Sequence, residues 1–384
     1  MSRRLDICHL TVLNPARHPR IFYKQACAQA SMGYQVAVVG QDDSSRVPYK
    51  LEGVTIYPLP YFERLSFLRW TMSLRLLYRA LRLRARAYVL HSPELLPLGL
   101  VLRVLTGARL IYDMHEDYPL TLAHAPHYPE WLRPRLSKWV RKLELFSLKY
   151  LGAVSYAEAI YLDILEAGEK AFLVRNKYHR VAPTTHFAAP DRPYLLYTGT
   201  IDPVWGIWDS LAFWNALPED TDIDLIIAGY SAQPAIIAEL RERIANSRQP
   251  GRIRLIGGAT FVPYAQISTL IQGCTAGLGL YQLEPFIQGK IPTKFYEFLA
   301  AGRPLVYTPD ENWDAFNAET RLGFSWSPDE PAWPVWEGIQ AWQAPPPHPE
   351  HYAWESEIPT LAHLTEQVVG PPTSPVVPIL QHSS

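Results

Sequence analysis

Short, wholly apolar runs alternate with helical stretches twice along this chain, and that alternation leaves few folds open. Gln35–Gly40 (QVAVVG) and Asp224–Gly229 (DLIIAG) are apolar after their first residue, as strands covered on both faces are. In the first half, Leu5–Leu10, Tyr88–His91, Arg109–Asp113 and Gly152–Ser155 read as further strands. Pro19–Met32, residues 64–86 and residues 129–150 read as helices, the first ended by Gly33. The pattern restarts at Tyr194–Gly199 and continues through Arg252–Gly257, Ala276–Leu280 and Leu305–Tyr307. Repeated strand–helix units imply parallel sheets with ligand sites beyond the carboxyl ends of the strands. A Pro/Ala/Thr-rich linker, Ala182–Asp191, separates the halves. The expected fold is therefore α/β, with two doubly wound Rossmann-like domains at 1–185 and 190–345. A crevice between two such domains is the default ligand site. The stretch 350–369 reads as a last helix. The tail 370–384, with four prolines, is expected to be poorly ordered.

Composition excludes several classes. With 48% hydrophobic and 19% charged residues, the chain can bury sizeable cores and is not disordered overall. Cys8, Cys27 and Cys274 are odd in number and far apart, which fits a reducing compartment and no disulfide framework. The start, MSRRLDICHL, has no apolar core of a secretory signal. No apolar run approaches the roughly 18 residues that span a bilayer. The expected location is cytoplasmic. Net charge is −1, but residues 1–189 carry 26 Lys+Arg against 15 Asp+Glu, and residues 190–384 carry 10 against 22. The halves thus stand at +11 and −12, which suggests different partners for each.

The stretch Gly289–Pro304 (GKIPTKFYEFLAAGRP) carries the clearest chemistry. Pro292 can open a helix and Gly302 can close it. A helix N-terminus offers unpaired N–H groups and a positive dipole end, which suit an anion. Lys290 and Lys294 beside it suit a diphosphate, and Glu297 one turn in suits sugar hydroxyls. An amphipathic helix with a basic first turn is the alternative. Elsewhere, the first strand-to-helix connection, His9–Tyr23, contains no glycine, which argues against a dinucleotide dehydrogenase. Arg17, His18 and Arg20 there suit a phosphate or a solvated first turn. Arg109–Pro119 (RLIYDMHEDYP) places His115 and Glu116 just past a strand, where acid/base or sugar contact is expected. Asp222-Ile223-Asp224 lies at the wrong end of its strand for a metal site and reads as a surface turn. Residues 64–86 hold seven arginines and no acid. That stretch suits an anionic membrane surface or a packed helix with a solvated basic face. Nucleic acid is not expected, since aromatics are not interleaved with the cations.

Five pieces in this order resemble the glycosyltransferase family 4 group of GT-B enzymes: HPRIFYKQACAQASMGYQVAVVG, RLIYDMHEDYP, FLVRNKYH, YLLYTGTIDPVWG and IPTKFYEFLAAGRPLVYT. The resemblance runs from about residue 5 to residue 369. It implies two Rossmann-like domains facing a cleft, with the last helix crossing back to the first domain. It further implies retaining transfer from a nucleotide-diphospho-sugar without a metal or other cofactor. Glu297 would hold the ribose hydroxyls. Lys294, Pro292 and Thr293 would lie near the diphosphate, and Lys290 could replace a missing cation of the donor loop. Gly199, Thr200 and Gly229 would line the donor site, and Val262 and Pro263 would lie by the base. His115, with Glu116, would act at the donor sugar, and Arg20 and Asn176 would line the cleft. Two departures stand out. Gly289 occupies the place of a first family glutamate, and Trp205 the place of a basic residue in the donor loop.

These readings lead to a retaining glycosyltransferase acting on a glycan, lipid-linked or small-molecule acceptor, at the inner face of a membrane if the basic stretch docks there. A non-catalytic scaffold or binding protein on the same fold is the alternative, motivated by Trp205 and Gly289. A nucleotide-sugar epimerase ranks below both.

Overall fold

In a computed structural model, residues 5–62, 68–124, 128–178, 190, 192–344 and 352–372 are described, without the side chains of 68–70. The expected linker is almost wholly outside these residues, as are Arg64 of the basic stretch and most of the tail. The chain divides into two compact units, Met1–Asn176 with Trp354–Ser384, and Lys177–Ala353. The division falls at Asn176 rather than at residue 185.

The first unit is built on an eight-stranded sheet in the order β3-β4-β2-β1-β5-β6-β7-β8. The strands are β1 (Ile7–Pro15), β2 (Val36–Gln41), β3 (Tyr49–Leu51), β4 (Val54–Leu59), β5 (Ala87–Leu90), β6 (Arg109–Met114), β7 (Ala153–Tyr156) and β8 (Ala171–Leu173). All pairs are parallel except β3 with β4. Those two form a hairpin whose turn, Glu52–Gly53, holds both residues at positive φ (46° and 80°), as a primed turn requires. Along β1 and β2 alternate residues enter opposite cores. Cys8, Leu10 and Ala37 join one cluster, and Ile7, Val36 and Val38 join the other. This is the period-2 geometry of a sheet covered on both faces.

The last helix, Ile358–Val369, belongs to this first unit. Its Leu361, Leu364 and Val368 are buried in the cluster that holds Ile7, Ile21 and Val38. Each such side chain contributes about 1.5–3 kcal/mol. Arg109 caps the helix, donating from Nη1 to the Val368 carbonyl at 2.7 Å.

The second unit has a six-stranded, wholly parallel sheet in the order β11-β10-β9-β12-β13-β14. Its strands are β9 (Tyr194–Thr200), β10 (Asp224–Tyr230), β11 (Ile253–Gly258), β12 (Ala276–Gly279), β13 (Leu305–Tyr307) and β14 (Gly323–Ser325). The chain winds outward from β9 through β10 and β11, then returns to the other side of β9 at β12. The strand order therefore reverses between β9 and β12, as it does between β1 and β5 in the first unit. Beyond the carboxyl ends at such a reversal is where an open α/β sheet binds ligands.

Candidate functional site

In the second unit, the loop that leaves β12 leads to helix Thr293–Ala300. The Gly-Arg-Pro close reads as expected. Gly302 sits at φ 61°, its N–H bonds Leu299 O at 3.1 Å, and Arg303 N–H bonds Phe298 O at 3.0 Å. These two bonds make a Schellman cap. At the other end, Pro292 precedes the helix in an extended conformation (ψ 143°). Its carbonyl accepts the Phe295 N–H at 2.9 Å, so the helix dipole begins at this residue.

Lys294 turns back from this helix onto the end of β9. Its ammonium donates to Thr198 Oγ1 at 2.7 Å and lies 5.4 Å from the Tyr197 ring centroid. Burial pushes the ammonium down to about 8, against an upward pull from Glu297. Gly199 makes this approach feasible. It sits at φ 97°, and a Cβ there would lie 2.8 Å from Lys294 Nζ. Gly199, Gly229 and Gly257 are in register across β9, β10 and β11. A Cβ at Gly229 would meet the Gly199 carbonyl at 1.9 Å. The three leave the carboxyl edge of the sheet bare of side chains beside the lysine.

Glu297 accepts a hydrogen bond from Tyr264 Oη at 3.0 Å. Its neighbourhood pushes the Tyr264 phenol strongly up, first through burial and then through the carboxylate. Val262 is half-buried and Pro263 exposed just before the helix that Tyr264 opens. Next to them Phe261, 79% exposed, stacks on Tyr230 with ring centroids 4.1 Å apart and planes at 24°. This open aromatic face, with Tyr264 and Gly257, was not singled out from sequence. Gly257, Phe261 and Tyr264 lie within one segment, and only the pairing of β10 with β11 brings Tyr230 to them.

Thr200 is exposed at the end of β9. Trp205, 37% exposed, lies edge-on to Tyr281 at 5.7 Å. It stands before Gly206, whose missing Cβ admits the Leu280 carbonyl. Gly289 sits at φ 75°, so a glutamate in its place would be strained. The Lys290 carbonyl accepts from Trp313 Nε1 at 2.7 Å, which fixes the backbone of that loop. Asp222, at the start of β10, pairs with Arg192 and Arg252, as a surface turn rather than a ligand site.

The first unit gathers its polar residues at the β1–β5–β6 side. Pro19–Met32 begins as a wide π turn over Arg20–Ala26, where Lys24 N–H bonds Pro19 O at 3.0 Å. Such turns often mark functional segments. The turn buries Arg20 rather than offering it to a phosphate. Arg20 grips Asp113 with two bonds, Nε to Oδ2 at 3.1 Å and Nη2 to Oδ1 at 2.7 Å, and gives Nη1 to the Val174 carbonyl at 2.8 Å. Burial alone would raise the Asp113 carboxyl, but the charge of Arg20, with the hydrogen bond from His115, holds it well below the usual range. His115 Nε2 lies 2.6 Å from Asp113 Oδ2. His18 stacks on His115 at 5.8 Å, and burial, then His115, push its imidazolium down to about 3. Glu116 is exposed and bonds Thr121 Oγ1 at 3.4 Å. Asn176 Oδ1 accepts from the buried Lys24 ammonium at 2.6 Å.

His91, Asp113 and His115 are also grouped closely enough to be considered as metal ligands. Two observations favour a hydrogen-bonded network instead. Both Asp113 oxygens are taken by Arg20, and a guanidinium opposes a nearby cation. The candidate ligand atoms also stand 2.6–3.1 Å apart, the spacing of hydrogen bonds.

Residues 19–162 match the family model of the glycosyl transferase 4-like domain. No curated protein sequence matches the chain. Among solved structures, sucrose-phosphate synthase from Thermosynechococcus elongatus is similar over 96% of both chains, with 14% identity and a TM-score of 0.63. Anabaena HepE in complex with UDP-glucose aligns over 96% of this chain and 97% of that one, with 12% identity and a TM-score of 0.61. A trehalose 6-phosphate synthase from Burkholderia multivorans aligns over 95% and 96%, with 12% identity and a TM-score of 0.55. Residues 19–162 are thus similar to a glycosyl transferase 4-like domain, and the chain has a GT-B fold.

Proposed function

We propose that the chain is a retaining glycosyltransferase that takes a sugar from a nucleotide-diphospho-sugar. The observation that carries this reading is the grouping of Lys294, Glu297 and the N-terminus of helix Thr293–Ala300 beside the bare edge at Gly199. Departure of a nucleoside diphosphate builds negative charge. A preorganised ammonium and the positive end of the helix dipole stabilise that charge without reorganisation. Tyr264 holds one oxygen of Glu297, so the carboxylate is oriented to accept ribose hydroxyls. The stacked Tyr230–Phe261 pair offers a face for the base. The HepE structure is a complex with UDP-glucose, which supports a uridine diphosphate donor here. His115 is assigned to the donor sugar. Neither a metal nor another cofactor enters the scheme, since Lys294 and the helix end supply the positive charge and Arg20 fills the Asp113 carboxylate. The acceptor is a sugar, lipid-linked or small-molecule hydroxyl. The test is a donor screen with the purified chain, following nucleoside-diphosphate release and the anomeric configuration of the product, with and without EDTA. Turnover of no donor, or an inverted product, would overturn the reading.

A membrane-facing role for the first unit is a second part of the proposal. Helices Leu68–Leu83, Leu96–Thr106 and Arg133–Leu148 pack side by side. They expose Leu74, Tyr78, Val104, Leu105 and Trp139 together with Arg75, Arg82, Arg103 and Lys142. Apolar and basic groups on one set of helices suit an anionic bilayer surface. Among the described residues no helix is long and apolar enough to cross a membrane. Flotation with anionic vesicles at low salt is expected, and its absence would remove this part.

The scaffold reading is favoured by one observation, the aromatic Trp205 in the donor loop where the resembling enzymes carry a cation. A chain that binds the nucleotide and turns over no donor would support it.

A further inference from the structure

Three histidines from adjacent strands form one buried row. His9 Nδ1 is 2.9 Å from His91 Nε2, and His91 Nδ1 is 3.1 Å from His115 Nε2. At the far end, His9 Nε2 is 2.7 Å from Gln29 Oε1. Gln29 Nε2 donates to Thr365 Oγ1 at 3.0 Å, and Thr365 Oγ1 donates to Leu361 O at 2.7 Å. The row therefore runs from the loop after β6 to the last helix of the chain.

The directions of donation follow from its far end. The Thr365 hydroxyl spends its proton on the Leu361 carbonyl, so it accepts from Gln29, and the amide NH2 must face it. The Gln29 carbonyl then faces His9 and accepts its Nε2–H. His9 is fully buried, and burial holds it neutral, with its imidazolium down at about 4. Its Nδ1 is therefore a lone pair, and His91 must donate to it from Nε2. His91 is neutral for the same reason, at about 3, so its Nδ1 is a lone pair as well. It faces an ionised Asp113 oxygen at 3.1 Å and His115 Nε2. Only His115 can supply a proton there, shared between His91 Nδ1 and Asp113 Oδ2. Every donor in the row then points one way, from His115 to the Leu361 carbonyl. Like-directed hydrogen bonds polarise one another.

We propose that Thr365, Gln29, His9 and His91 are positioning residues for His115. They fix it as the Nε2–H tautomer and leave Nδ1 as the one ring nitrogen of the row free to meet a substrate or exchange a proton. The last helix is in this way a working part of the His115 site. The inference rests on the role given to His115 above, and its test separates from that role.

The experiment is 15N NMR of histidine-labelled full-length protein, wild type against Thr365→Val and Thr365→Ser. The expected wild-type result is a single Nε2–H tautomer at His9, His91 and His115. Thr365→Val removes both hydrogen-bonding roles at constant shape, frees Gln29 to turn, and is expected to give mixed tautomers at His9 and His91. Thr365→Ser keeps both roles and is expected to restore the wild-type spectrum. An Nδ1–H His9 in wild type, or a Thr365→Val spectrum equal to wild type, overturns the proposal. The spectra stand whether or not the protein turns over a donor. With a donor in hand, Thr365→Val is expected to lower kcat severalfold at unchanged donor KM, with Thr365→Ser near wild type.

Discussion

Raising the pH tests Lys294 without altering the sequence. Burial holds its ammonium at about 8 in the free protein. A bound diphosphate favours the charged form, so the bound pKa rises toward the ordinary value of about 10.4 or beyond. Affinity is then complete below about pH 8 and is lost as pH rises through it. The diphosphate is already ionised above about pH 7, so the lysine is the titrating partner in this window. For a free pKa of about 8 and a bound pKa near 10 or above, the uncharged fraction makes Kd about tenfold weaker at pH 9 than at pH 7. Calorimetric titration with UDP across pH 7–9 measures this directly. The Lys294→Gln variant is expected to bind weakly and with a flat profile. A wild-type Kd that is constant over this range would refute the assignment of Lys294 to the diphosphate.

Three substitutions test other contacts. Gly199→Ala places a methyl 2.8 Å from Lys294 Nζ at a φ of 97°. It is expected to cost about 1–3 kcal/mol in urea denaturation and to weaken UDP binding. Asp113→Asn strips the buried Arg20 of its partner and is expected to cost about 3–5 kcal/mol, read as a lower denaturation midpoint. Trp205→Lys restores a cation to the donor loop. One charge-assisted contact of about 1.5–3 kcal/mol should tighten UDP binding about tenfold or more in calorimetry.

What could be read from the chain differs between the two units. The helix Thr293–Ala300 was legible with both ends, because Pro292, Gly302 and the spacing of Lys294 and Glu297 are local signals. Most of the parallel strands were legible within one or two residues, since burial on both faces leaves unbroken apolar runs, but β1 runs five residues past the expected Leu10, to Pro15. Four strands, β3, β4, β8 and β14, were not legible. Their residues are interrupted by Lys50, Thr55 and similar polar groups, or span only three positions. The polar row of the first unit was the least visible. His9, His91 and His115 are far apart in sequence, and only the neighbouring order β1–β5–β6 brings them together. The pairing of Arg20 is hidden from the sequence for a related reason. A cation near a helix start looks solvated until a carboxylate 93 residues away is seen to bury it.

In the proposed site Glu297 and its helix hold a nucleoside diphosphate. Calorimetric titration of UDP into wild-type protein and Glu297→Ala, in the same buffer at pH 7, addresses it most directly. The account predicts saturable one-to-one binding to wild type and a loss of at least tenfold in affinity for Glu297→Ala, as expected from removing charge-assisted bonds to ribose hydroxyls. Equal binding by the two proteins, or no binding by the wild type, would contradict it.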